Sequence, residues 1–64
     1  MKVNGSEILL KDSVNLQEFL EKHQYDTTKI AVEKNSEIIP KANYKEVMLS
    51  DTDVLEIVSF VGGG

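Results

Sequence analysis

The chain has 64 residues, 41% hydrophobic and 28% charged, with 7 Lys, no Arg and 11 Asp plus Glu, giving a net charge of -4. These figures fit one small domain of ordinary soluble composition, with a thin core because a chain this short buries only about 60% of its unfolded surface. The absence of cysteine excludes disulfides, thiol nucleophiles and thiolate-bound metals, and an acidic, arginine-free chain suits a basic protein partner better than nucleic acid.

No apolar run approaches the ~20 residues that span a bilayer. Met1 leads directly into a strand pattern with no charged-then-apolar leader, so the cytoplasm is the expected compartment.

Asn4-Gly5 separates Met1-Lys2-Val3 from Glu7-Ile8-Leu9-Leu10. Both turn residues tolerate positive φ, so the spacing predicts strands over 1–4 and 7–11 joined by a tight hairpin. Asn15 fits a helix N-cap, with Glu18 three residues on and Val14 and Phe19 at the hydrophobic-staple positions. Leu16, Phe19, Leu20 and His23 follow helical spacing, which predicts a helix over 16–24 with Gln17, Glu18, Glu21 and Lys22 on its polar face.

Ile30–Lys34 reads as a third strand, Asn35-Ser36 as a turn and Glu37-Ile38-Ile39 as a fourth strand that Pro40 ends. Between Ala42 and Leu49, Tyr44, Val47 and Met48 stand at mixed spacing, consistent with one short helical turn. Ser50–Asp53 is a turn. The run from Val54 to Val61 is the longest β-prone stretch and is expected to be a central strand. The order strand, strand, helix, three strands describes an α+β, ubiquitin-like β-grasp: a mixed sheet of about five strands with one helix on one face. A ferredoxin-like layout would need a second helix, which the sequence does not offer. Residues 1–61 form the expected domain and 62–64 a flexible glycine tail.

Three stretches resemble the ThiS-type sulfur carriers of thiamin biosynthesis. They are Met1–Ile8 with its Asn-Gly hairpin, Ile30–Pro40 with its Glu-Ile-Ile-Pro end, and Val54–Gly64 with its Gly-Gly terminus. The resemblance covers essentially the whole chain. It departs from the family pattern where turn glycines are common: His23-Gln24 at the helix exit, Asn35-Ser36 before the fourth strand, and Thr52 within Asp51-Thr52-Asp53.

Physically, residues 61–64 fully extended reach at most ~13–14 Å. Gly62 and Gly63 lack the β-carbon that would block a narrow channel. A terminal carboxyl is ionised at neutral pH, with a reference pKa of ~3.3–3.7, and must be joined to a leaving group before it can accept a nucleophile. The resemblance implies how. An E1-like, ThiF-like adenylyltransferase would use ATP and magnesium to form an acyl-adenylate on Gly64. Sulfur from a persulfide, supplied by a donor such as a cysteine desulfurase, would convert it to a thiocarboxylate. That group would deliver sulfur to a ThiG-like thiazole synthase. The chain itself would bind no cofactor and would be a co-substrate, not an enzyme.

Alternation along the last strand turns Leu55, Ile57 and Ser59 to one face and Val58 and Phe60 to the other. Val58 and Phe60 are therefore the expected partner-docking residues. Single His23 makes no metal set and suits a helix end. Glu33, Glu37 and Glu56 read as solvated strand residues, Asp51 and Asp53 as turn formers, and Tyr25 and Tyr44 as core-edge aromatics. Two rival functions share the pattern: the small subunit of molybdopterin synthase or another pathway's sulfur carrier, and a β-grasp interaction module that is never activated. No nucleophile–base pair, metal set or phosphate loop supports an independent enzyme.

Overall fold

The computed structural model describes residues 1–60. Strands β1 (Lys2–Val3) and β2 (Ser6–Glu7) form the opening hairpin. Its turn has φ of 50° at Asn4 and 83° at Gly5, the left-handed pair a tight hairpin needs. Next come β3 (Val14–Asn15), helix α1 (Leu16–Lys22), β4 (Ile30–Lys34) and β5 (Glu37–Ile39). A 3-10 turn (Lys41–Asn43), β6 (Met48–Leu49) and β7 (Val54–Ser59) complete the described elements. The main sheet has the order β2-β1-β7-β4-β5, and β3 pairs with β6 in a separate ribbon. Among the described residues only the β1–β7 pair is parallel; the other pairs are antiparallel. This is the expected β-grasp, with the last strand in the centre.

One face of the sheet buries Val3, Ile30, Val32, Leu55 and Ile57, and α1 covers it with Leu16, Phe19 and Leu20. Met1, Tyr44 and Leu49 close the ends of this core. The helix begins where the sequence placed it: the Glu18 backbone N–H donates to the Asn15 side chain at 3.2 Å.

It ends two residues early, at Lys22 and not at residue 24. Gln24 takes a left-handed φ of 63°. Its N–H bonds the Glu21 carbonyl at 3.0 Å, and the Tyr25 N–H reaches back to Leu20 at 2.9 Å. Those two bonds are a Schellman cap, with glutamine where glycine is usual. Asn35 and Ser36 likewise stand at φ of 52° and 72°. Two of the three glycine departures therefore sit at left-handed positions that side chains must tolerate, whereas Thr52 has no positive φ.

The second strand stops at Glu7 instead of residue 11. The Ile8 N–H still bonds Met1 at 2.7 Å. The Leu10 N–H then turns away to the Asp51 carboxylate at 2.9 Å, and Leu9 is left 79% exposed. Asp51 also accepts from the Met1 ammonium at 3.0 Å, so one carboxylate draws this segment off the sheet edge. The two-residue strands β3 and β6 had no sequence signal. The last strand runs to Ser59, the Phe60 N–H adds a bond to Lys29 at 2.9 Å, and Val61 lies outside the described residues.

Two asparagines extend the ladders on either side of β7. The Asn4 side chain accepts from the Ile57 N–H at 2.7 Å and donates to the Ile57 carbonyl at 3.1 Å. It thereby continues the β1 lane after the backbone has turned away. On the other side, the Asn35 side chain accepts from the Val54 N–H at 3.0 Å and the Asn35 backbone N–H donates to the Val54 carbonyl at 2.8 Å.

Asn4→Ala should lower stability by about 1–3 kcal/mol, from two lost hydrogen bonds and a β-carbon held at positive φ without local compensation. Urea unfolding measures it. A loss near zero would mean that water replaces the side chain at Ile57.

Asp53 is buried, and burial alone would raise its pKa. Hydrogen bonds from the Ser50 N–H and the Asn35 amide, with the charge of Lys34, outweigh that and hold it below the usual carboxylate range. The Asp51 carboxyl is lowered chiefly by the Leu10 N–H and then by the Met1 ammonium. Folded values below the unfolded one of about 3.9 mean that this stabilisation is complete above it and is lost as pH falls through the folded values. The melting midpoint should hold between about pH 7 and pH 5 and drop below about pH 4. Asp53→Asn should melt lower at neutral pH and show a shallower acid decline.

Candidate functional site: the open sheet face and the chain beyond Phe60

Because β7 alternates, Leu55 and Ile57 enter the core while Val54 and Val58 stay 43% and 57% exposed on the opposite face. Phe60, just beyond the strand, is 48% exposed, and Lys41 Nζ lies 5.6 Å from its ring centroid. Ala31 of β4 stands directly opposite Val58. Glu33 is opposite Glu56 in β7 and opposite Ile38 in β5, where Ile38 is 74% exposed. Among the described residues no helix covers this face. The structure thus brings the two expected docking residues, Val58 and Phe60, to one exposed surface of mixed apolar and acidic character. Gly62, Gly63 and Gly64 lie outside the described residues.

The remaining candidates separate. His23 stacks on Phe19 with ring centroids 4.3 Å apart and caps the helix. Glu37 is exposed in β5. Tyr25 packs against the core from its edge, whereas Tyr44 is a core residue whose burial pushes its pKa up. Asp53 is more than a turn former, since it ties Ser50, Asn35 and Lys34 together. Sequence reasoning missed Asp51 as the ligand of the Met1 ammonium; the contact spans 50 positions and leaves no local pattern.

A groove of about 450 Å³ separates the Ile8–Val14 segment from Phe19, Lys22 and His23. Asp12, Ser13 and His23 share its lining, but no hydrogen bond joins them. It is therefore no assembled nucleophile. Among the described residues no cluster of metal-ligating side chains occurs, and no helix is long and apolar enough to cross a membrane.

The ThiS family model matches residues 1–64. The chain belongs to the ThiS family. It is 45% identical over 65 residues to the sulfur carrier protein ThiS of Bacillus subtilis, covering all of this chain and 98% of that protein. It is also 44% identical over 62 residues to a thiazole synthase of Paramagnetospirillum magneticum, where the match takes in 97% of this chain but only 19% of that enzyme. The crystal structure of the thiamine biosynthesis protein ThiS from Geobacter metallireducens superposes with a TM-score of 0.78 at 29% identity, covering 98% of this chain and 96% of that one. As a ThiS-family member the chain is a sulfur carrier of thiamin biosynthesis, a co-substrate and not an enzyme.

Replacing both Val58 and Phe60 by Ala should shift stability by no more than about 1 kcal/mol, since the side chains are exposed and the Phe60–Lys41 contact is a surface cation–π pair. A urea titration decides this. A larger loss would make the face part of the fold and not a surface held ready for a partner.

Proposed function

We propose that the Gly64 carboxylate is the sulfur-bearing group and that Gly62 and Gly63 thread it into partner active sites. An adenylyltransferase joins the carboxylate to AMP at the expense of ATP, releasing pyrophosphate; its magnesium belongs to that enzyme. The terminal sulfur of a persulfide, loaded by a cysteine desulfurase or equivalent donor, displaces AMP. Reduction of the acyl disulfide by a thiol then leaves the thiocarboxylate, which passes its sulfur to thiazole synthase. All of this takes place in the cytoplasm, where ATP is at hand.

The family match out to residue 64 is the observation that carries this reading. The fold supports it in two ways. β7, held by β1 on one side and β4 on the other, is a rigid base for the residues beyond it. Val58 and Phe60 flank the exit with apolar surface, the kind that partner enzymes cover. Domain and tail divide the work on this view: residues 1–61 dock, and residues 62–64 reach.

The test is intact mass spectrometry after incubation with ATP, a sulfur source and a ThiS-activating adenylyltransferase. The expected product is heavier by the difference between one sulfur and one oxygen, and a chain lacking Gly64 should give none while keeping its melting midpoint. If the truncated chain is still thiolated, or if an enzyme active on another carrier leaves this chain unchanged, Gly64 is not the site.

A further inference from the structure

The middle of the open face carries two like charges. Glu33 and Glu56 are directly paired across β4 and β7, so both side chains leave on the same side. Exposed Ile38, Val54 and Val58 surround them. Neither glutamate has an ion-pair partner among the described residues. Lys34 turns to the other face, where it lies 4.0 Å from Asp53. Lys41 sits over Phe60. Lys2 shares the open face but stands opposite Glu7. Like charges directly opposite one another weaken a sheet, so this pairing works against the isolated fold.

We propose that this face docks thiazole synthase, with a cationic side chain of that enzyme seated between Glu33 and Glu56 and apolar side chains against Ile38, Val58 and Phe60. The proposal rests on the sulfur-carrier reading of Gly64. Three observations select this occupant. The four residues that end in Gly64 come directly after Phe60, at one end of the face, so an acceptor of the terminal sulfur must come close to it. A segment similar to nearly all of this chain lies within a thiazole synthase polypeptide, which joins such a domain and that enzyme in one molecule. The acidic pair, on a chain of net charge -4, also favours a basic partner over an acidic one. In the complex the repulsion between the glutamates becomes an attraction shared with one cation, in a setting from which water is displaced.

The experiment compares the wild-type protein with the Glu33→Gln/Glu56→Gln double variant. It measures affinity for the thiazole synthase and for the adenylyltransferase of the same organism at low and high salt, and the melting midpoint of each free protein. Removing the repulsion should raise the midpoint by about 1–5 °C. The same change should weaken binding about tenfold or more and flatten its salt dependence. A substitution that merely damaged the fold would lower both. Unchanged affinity overturns the proposal, as does a loss confined to the adenylyltransferase or a wild-type protein that does not bind the synthase. Thiocarboxylate formation by the wild-type protein, read by intact mass, separates failure of this docking mode from failure of the carrier reading itself.

Discussion

Everything in this fold hangs on keeping both edges of β7 bonded. The strand lies in the middle of the main sheet, yet its neighbours are short: β1 offers two residues and β4 five. A central strand with unpaired backbone groups would be costly in so small a domain. Asn4 and Asn35 solve the problem with side chains. Each sits at positive φ in a hairpin turn, a conformation asparagine tolerates better than most residues, and each reaches the β7 backbone. The turns thus reverse the chain and also lengthen the ladders beside the central strand.

That double use explains what the sequence disclosed and what it concealed. Asn4-Gly5 and Asn35-Ser36 were visible as turns because turn chemistry is local. The bounds of β4 and β5 were legible too, since a turn on one side and Pro40 on the other frame them. Alternation in β7 placed Val58 and Phe60 correctly on the open face. By contrast, the premature end of β2 depends on Asp51, some 41 positions away from Leu10 in sequence. The ribbon of β3 and β6 joins two-residue segments too short to show any period. The Schellman cap was missed because glutamine replaces its usual glycine. Glu33, Glu37 and Glu56 read as solvated strand residues with nothing to bring them together; the pairing of Glu33 with Glu56 is a matter of register across two strands, and register is not written in either strand alone.

Chemistry and fold are divided along the chain. The helix, the core and the buried carboxylate of Asp53 serve stability. The open face is left uncovered by any helix, with valine, isoleucine and phenylalanine exposed beside unneutralised acids. Such a surface adds little to the stability of the free protein. A sulfur carrier that hands on its cargo benefits from contacts of modest area and mixed character, because binding too tight would slow its turnover.

The parallel pairing of β1 with β7 has a consequence for biosynthesis. Lys2 finds Val54, and Val3 finds Leu55, only after some fifty intervening residues have been made. Until β7 inserts, β1 and β4 present raw edges to each other and to neighbouring chains. High contact order of this kind makes folding slow for the size of the domain, and it delays the full sheet until the last strand has emerged. A nascent chain that stops short of β7 therefore has the β1–β2 and β4–β5 pairs but lacks the strand that joins them into one sheet.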